Sequence, residues 1–219
     1  DNWQAAGPRP VWPPSIWWGD ADSVERLGVW QQRREASGLP VITHVCNVAA
    51  NAVQIPAADR LESVEYLDLE MLDAPGMTPG TGLWLRSERD LRSAIAFLEV
   101  SEAAGGIVLV NCFAGQNRSG AVLLAWLLMH RNAKTGEAHG FSPRGALTHL
   151  RSIEPDALNN ASLEQLALHV AGETPAARDL APVRIPSSWV ILPRQHPTTP
   201  DAVPTPFEEV EDADLTDLF

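Results

Sequence analysis

Cysteine is scarce in this chain of 219 residues, which contains only Cys46 and Cys112. Two thiols cannot build the framework of several disulfides that supports small secreted domains. Long apolar runs are lacking as well, because the longest, residues 121–129, is too short to span a bilayer as a helix. The sequence therefore excludes a disulfide-stapled scaffold, and we expect no membrane as a partner.

Basic residues are in the minority, since 16 Lys and Arg face 28 Asp and Glu for a formal net charge of −12. This balance argues against direct binding to nucleic acid. Seven of the acidic residues lie in residues 201–219, which contain no basic residue, so the rest of the chain is only mildly acidic. The six histidines show no metal-ligand spacing, and we expect neither a metal nor another cofactor.

The most informative segment is residues 106–120, in which an apolar run leads to Cys112 and then, after five residues, to Arg118 and Ser119. This order predicts a buried strand, a tight loop and a helix from residue 118 to about residue 131. The N–H groups of residues 113–118 are available to an anion at the start of such a helix. Gly115 permits the unusual dihedral angles that a tight cradle needs.

The side chains of this loop suggest phosphate chemistry. Arg118 offers a planar fork that can bind two oxygens of a phosphate at once. The positive end of the helix dipole favours the thiolate form of Cys112. A thiolate beneath a bound phosphate is a nucleophile placed for in-line attack, and the Ser119 hydroxyl can hydrogen-bond the sulfur and assist its departure.

The Cys-x5-Arg-Ser signature resembles that of the protein tyrosine phosphatase superfamily, and the rest of the chain is similar to its dual-specificity branch. Residues 15–20 resemble the opening strand of that branch, and residues 42–49 resemble an early core strand. Residues 66–73 resemble the strand and loop that deliver its general-acid aspartate. The resemblance runs from about residue 12 to about residue 172. It implies an α/β fold whose central mixed, mostly parallel sheet is flanked by helices.

The resemblance also implies roles for individual residues. Asp73 falls on the position of the general acid; Asp68 competes for this role, but it belongs to the strand, whereas Asp73 opens the loop. Asn159, followed by residues 163–166, resembles an asparagine of the closing helices, and we expect it to modulate the phosphate-binding loop. That loop comprises Phe113, Ala114, Gly115, Gln116, Asn117 and Arg118.

One residue departs from the family pattern, because Asn111 stands where the family has a histidine immediately before the nucleophile. An asparagine can donate a hydrogen bond but carries no charge, so we expect a less stabilised thiolate. Two hypotheses follow. The chain is either an active phosphatase using Cys112, Arg118, Ser119 and Asp73, or a catalytically impaired, phosphate-binding subunit of a larger assembly. The first is preferred because the catalytic set is complete.

The sequence also predicts its substrate class. The interior of the loop, residues 113–117, contains no Lys or Arg, whereas relatives that act on inositol lipids usually place basic residues there. This absence favours a phosphoprotein substrate.

Further helix signals follow the pattern of caps and breakers. Residues 87–90 form a capping-box-like helix start, and Gly105-Gly106 ends that helix. Ser142-Pro143 predicts an N-cap followed by the first helical residue, and residues 162–165 form a second capping box. Residues 73–82 are rich in Pro and Gly, and we expect this loop to carry the general acid over the pocket.

Composition divides the chain into three parts: a Trp- and Pro-rich arm at residues 1–11, a catalytic domain at residues 12–172, and a Pro-rich acidic extension at residues 173–219. The arm and the extension are candidate surfaces for assembly with other proteins. Because the site depends on a reduced thiol, we expect a reducing intracellular compartment. The cytoplasm is preferred over an organelle interior reached after removal of a targeting segment.

Overall fold

The computed structural model describes residues 7–12, 14–130 and 141–172. The predicted C-terminal extension and residues 1–6 of the predicted arm lie outside the described residues, so the assembly hypothesis stays a prediction. No helix in the described ranges has both the length and the apolar character needed to cross a membrane.

A five-stranded sheet forms the centre of the molecule, with the spatial order β1-β2-β5-β3-β4. Its strands are β1 (Arg9–Trp12), β2 (Ile16–Gly19), β3 (His44–Asn47), β4 (Glu65–Asp68) and β5 (Val108–Asn111). Strands β2, β3, β4 and β5 run parallel to one another, and β1 pairs antiparallel with β2. The predicted α/β architecture with a mixed, mostly parallel sheet is confirmed.

Helices cover both faces of this sheet. They are α1 (Ala21–Glu25), α2 (Leu27–Ala36), α3 (Gly82–Ala103), α4 (Arg118–Met129), α5 (Pro143–Ile153) and α6 (Ala161–Val170). Helix α4 contacts α3, α5, α6 and β5, and every side chain from Ser119 to Leu127 is buried. Its nearly uniform apolar character therefore reflects a helix enclosed on all sides. Strand β5 is likewise buried throughout and lies in the middle of the sheet.

The strand β1 differs from the sequence prediction, which placed residues 9–11 in an aperiodic arm. Arg9 lies opposite Trp18 and Trp12 opposite Ile16, with an irregular register between Pro10 and Trp12. Proline is tolerated at a sheet edge, where its missing N–H is not needed by a further strand. A four-residue edge strand with a proline and a bulge has no readable alternation, which is why the pattern did not indicate it.

Two helix starts also differ from their predictions. Helix α3 begins at Gly82, where the Thr81 hydroxyl accepts a hydrogen bond from the Trp84 N–H at 3.4 Å, and the predicted start at Ser87 is buried inside this helix. Helix α6 is capped by Asn160 rather than Ser162. Capping-type residues also occur inside helices when tertiary burial stabilises the preceding turn. The predicted Ser142 cap of α5 is confirmed.

Candidate active site

The cysteine loop follows β5 at the carboxyl end of the parallel strands. Asn111, the last residue of β5, is in register with Gly19 of β2. Gly115 has a φ of 65°, and a Cβ there would lie 3.0 Å from the Gly19 carbonyl oxygen. Only glycine fits this turn without strain and without displacing β2. The turn is thereby held close to the sheet, and the loop wraps back toward α4.

The backbone N–H groups of residues 113–117 are available to a ligand. Within the ranges that the structure describes, none of them donates a hydrogen bond to another backbone group. Helix α4 begins at Arg118, and its N-cap Asn117 makes no side-chain capping bond. The first turn of this helix therefore adds its own unpaired donors and the positive end of its dipole. Such a cradle is suited to a tetrahedral oxyanion.

Cys112 lies at the base of the cradle and is only 2% exposed. The Ser119 hydroxyl lies 3.1 Å from its Sγ, and the indole Nε1 of Trp18 lies 2.8 Å from the Ser119 Oγ. The sequence predicted the contact between Ser119 and the sulfur, and the structure brings the two together. Trp18 could not be identified from the sequence, because it lies in β2 and is remote from Ser119 along the chain.

Arg118 lies over the cradle with a guanidinium that the protein leaves largely unpaired. Its Nε is buried and has no hydrogen-bond partner among the described residues, and the nearest carboxylate oxygen, Asp73 Oδ2, lies 3.9 Å from it. A buried donor without a partner costs free energy of about 1–3 kcal/mol. An anion bound in the loop would supply the missing acceptor.

Asp73 is held over the same loop by two asparagines. Asn160 Nδ2 donates to Oδ1 at 2.7 Å, and Asn117 Nδ2 lies 3.4 Å from Oδ2. The backbone N–H of Asn160 in turn donates to Oδ1 of Asn117 at 3.1 Å. These bonds link the loop after β4, the phosphate loop and the start of α6. Asp73 is therefore placed beside Arg118 while remaining exposed to solvent.

The structure places Asn160, rather than the predicted Asn159, against the phosphate loop. Asn159 is exposed, and the contacts with Asp73 and Asn117 are made by its neighbour Asn160. Leu158 has a φ of 55°, so the chain turns sharply just before these two asparagines. The capping preference of asparagine at a helix start could have identified Asn160 from sequence.

Asp68, the alternative acid, is engaged elsewhere. It forms an ion pair with Arg60, and its Oδ1 accepts a hydrogen bond from Asn47 at 3.0 Å. Asn47 also connects it to Asn111, whose Nδ2 lies 3.3 Å from Asn47 Oδ1. These interactions keep Asp68 at the β3–β4 edge of the site rather than over the phosphate loop.

Asn111 is fully buried, and its Oδ1 has no hydrogen-bond partner within the described ranges. Its neutral amide contacts Asn47 of β3, so this position brings no charge to the site. The sequence predicted the loss of charge, but the contact with Asn47 depends on the parallel register of the two strands.

The remaining loop side chains form the rim and the surroundings of the site. Phe113 is 58% exposed, Ala114 is exposed, and Gln116 is partly buried. The second cysteine, Cys46, is fully buried in β3. Burial raises the pKa of its thiol, and the negative charge of Asp68 adds to this effect. Cys46 is therefore a protonated core residue.

Comparison with known families agrees with this geometry. The family model for the dual specificity phosphatase catalytic domain matches residues 34–166, more than half of the chain. The chain belongs to the dual specificity phosphatase family. The matched range includes the candidate acid, the phosphate loop and the start of α6, whereas Trp18 and Gly19 of β2 precede it.

Individual relatives match shorter segments. The chain is 34% identical over 67 residues to dual specificity protein phosphatase 1 of Arabidopsis thaliana, covering 31% of this chain and 30% of that protein. It is 29% identical over 97 residues to dual specificity protein phosphatase PHS1 of the same plant, covering 44% of this chain and 10% of that protein. The matches therefore span less than a third of either relative.

Solved structures support the fold. The crystal structure of Tk-PTP in its active form matches with a TM-score of 0.57 at 17% identity, covering 76% of this chain and 97% of that chain. At this identity the likeness shows a shared protein tyrosine phosphatase-like fold.

Proposed function

We propose that this chain is an active phosphoprotein phosphatase of the dual-specificity type, acting on phosphotyrosine, phosphoserine or phosphothreonine through a cysteinyl-phosphate intermediate. The observation that carries the proposal is the convergence of Cys112, Asp73 and a guanidinium without a hydrogen-bonded carboxylate at one end of the sheet. A structural role alone does not account for a buried arginine N–H that lacks a partner.

The first step transfers the phosphoryl group to the protein. The Cys112 thiolate attacks phosphorus, an S–P bond forms, and the bond from phosphorus to the leaving oxygen breaks. Asp73, protonated at this stage, gives its proton to the leaving oxygen. The Arg118 guanidinium and the loop N–H groups bind the non-bridging oxygens and stabilise their charge in the transition state.

The second step releases phosphate. A water molecule attacks the phosphorus of phosphocysteine, and the Asp73 carboxylate accepts a proton from that water. The S–P bond breaks, and its electron pair returns to the Cys112 sulfur. The Ser119 hydroxyl, 3.1 Å from Sγ, donates a hydrogen bond to the thiolate that forms. Because Asp73 is exposed, its carboxyl group can exchange protons with solvent between the two steps.

The surface of the site favours phosphoproteins over inositol lipids. The rim of the loop presents Phe113 and Ala114 to solvent, and residues 113–117 include no basic side chain that could meet additional phosphates. An exposed aromatic ring beside the pocket is suited to contact with the apolar part of a peptide.

The observation that favours a second candidate, a phosphate-binding subunit with impaired turnover, is the neutral, fully buried Asn111. In that case the cradle and Arg118 would still bind an oxyanion, but the thiolate would be too sparsely populated to react. Assembly through the N-terminal arm and the acidic extension belongs to this candidate.

Turnover of an aryl phosphate by the purified chain tests the two candidates. The active-phosphatase proposal predicts release of phosphate that Cys112→Ser abolishes and Cys46→Ser retains. Cys46→Ser is the matched control because it removes the other buried thiol. Vanadate binding without any turnover in the unmodified chain would instead support the impaired subunit.

A further inference from the structure

A buried chain of two hydrogen bonds leads from β2 to the nucleophile. Trp18 and Ser119 are fully buried, and Cys112 is 2% exposed. The Trp18 Nε1 lies 2.8 Å from the Ser119 Oγ, and that oxygen lies 3.1 Å from the Cys112 Sγ. No water is needed to connect the three groups, since each distance is that of a direct hydrogen bond.

The chemistry of the indole fixes the direction of this chain. An indole N–H can only donate, so the Ser119 oxygen must accept from Trp18. The serine proton cannot then point toward the ring, which removes one of its three staggered orientations. The other common choice for a helical serine is a backbone carbonyl one turn earlier. The Cys112 sulfur lies 3.1 Å from the Ser119 oxygen, so the hydroxyl can donate to it in the remaining orientation.

We propose that Trp18 is a positioning residue that commits the Ser119 hydroxyl to donating its proton to the Cys112 sulfur. The donated N–H polarises the hydroxyl, which makes it a stronger donor to a thiolate. This hydrogen bond to the sulfur replaces part of the thiolate stabilisation that a charged residue at position 111 would give. Asn111 is neutral, and its amide contacts Asn47. The effect on turnover rests on the proposed function, whereas the effect on the thiolate does not.

The charged groups around Cys112 stay the same in the test variants. They include Arg118 at the end of the Cys112 loop, Asp73 beside Arg118, and Asp20 before α1, whose Cβ lies 3.2 Å from where a Cβ on Gly115 of the same loop would lie. A change in Cys112 reactivity can therefore be attributed to the hydrogen-bond chain.

Trp18→Phe keeps an aromatic ring in the core and removes the N–H donor, together with one ring of the buried indole. Trp126→Phe is the matched control, because Trp126 is also fully buried and its Nε1 has no hydrogen-bond partner in the described part of the chain. The assay is carboxamidomethylation of Cys112 by iodoacetamide, followed by mass spectrometry across a pH series, so it requires no turnover. Thermal unfolding of each variant is measured in parallel.

We expect Trp18→Phe to slow alkylation below neutral pH by about three- to tenfold, the range expected for loss of one hydrogen bond. The same substitution in a Ser119→Ala background should have no further effect, because the hydroxyl that it acts through is absent. Trp126→Phe should alkylate like the unmodified chain. Equal slowing by Trp126→Phe, or the same loss with and without Ser119, would overturn the proposal.

A measurement on the unmodified chain covers the case in which Trp18→Phe does not fold. In protein labelled with ¹⁵N-tryptophan, one indole N–H signal should shift with pH at the same midpoint as Cys112 alkylation, and this shift should disappear in Ser119→Ala. If no indole signal follows the midpoint, the proposal is wrong. If the alkylation results hold but the unmodified chain shows no turnover, the proposed function fails and the positioning role remains.

Discussion

The hydrogen bond from Asn160 to the proposed general acid, Asp73, gives the sharpest test of the site geometry. Asn160 Nδ2 donates to Asp73 at 2.7 Å, while Asn159 beside it is exposed. A hydrogen bond to a charged group contributes about 1.5–3 kcal/mol when buried. Because Asp73 is exposed, we discount this to about 1 kcal/mol. Asn160→Ala should therefore lower kcat by about fivefold for a substrate with a poor leaving group.

The leaving group separates a positioning defect from a general loss of structure. An activated aryl phosphate needs little protonation, so its turnover should fall less in Asn160→Ala than that of a poor substrate. Asp73→Asn should show the same pattern with a larger loss. Asn159→Ala serves as the matched control and should retain full activity.

Asn160 also caps α6, since its Oδ1 accepts from the Ser162 N–H at 3.0 Å. Loss of this cap should destabilise the fold by about 1 kcal/mol. Asn160→Ser separates the two roles, because serine can cap the helix but is too short to reach Asp73. Steady-state kinetics and thermal unfolding of the four variants provide the data. Equal losses in Asn159→Ala and Asn160→Ala, or equal losses for both leaving groups, would refute this reasoning.

Three further predictions concern charge and protonation. Arg118→Lys should lose most turnover because an ammonium cannot reproduce the bidentate fork; full activity would contradict the assigned role. Asn111→His should speed iodoacetamide alkylation of Cys112 below neutral pH by about tenfold, since it restores a charge at that position. Identical rates would mean that the residue at position 111 does not affect the reactivity of Cys112. Desolvation lowers the pKa of His149 below its ordinary value of 6.5, and its hydrogen bond with the Val11 carbonyl oxygen opposes this effect only in part. Because the unfolded chain then binds more protons, the free energy of unfolding should fall as the pH drops below about 6.5. Chemical denaturation should show a smaller fall in His149→Gln, and an equal fall would exclude His149 as the source.

The sequence predicted those parts of the site that lie within one continuous segment. Cys112, Arg118 and Ser119 share one strand–loop–helix unit, so the contact between Ser119 and the Cys112 sulfur follows from local geometry. The position of Asp73 could be predicted only from the family resemblance, because nothing local indicates that the loop after β4 folds over α4.

Contacts between distant segments could not be predicted in the same way. Trp18 reaches Ser119 because β2 lies beside β5 in the sheet, and strand order is not encoded in the periodicity of either strand. The Asn111–Asn47 contact depends on the same parallel pairing. The edge strand β1 was missed because Pro10 and a bulge interrupt its alternation. The predicted start of α3 was wrong because Ser87 has capping chemistry but is buried within the helix.

The central claim is that Cys112 carries the phosphoryl group during turnover, and rapid quenching tests it most directly. The unmodified chain is mixed with an activated aryl phosphate, quenched within milliseconds and examined by mass spectrometry. The account predicts a phosphoryl group on Cys112, formed before phosphate is released, with the same species in Cys46→Ser and none in Cys112→Ser. Phosphate release by the Cys112→Ser variant at the rate of the unmodified chain would contradict it.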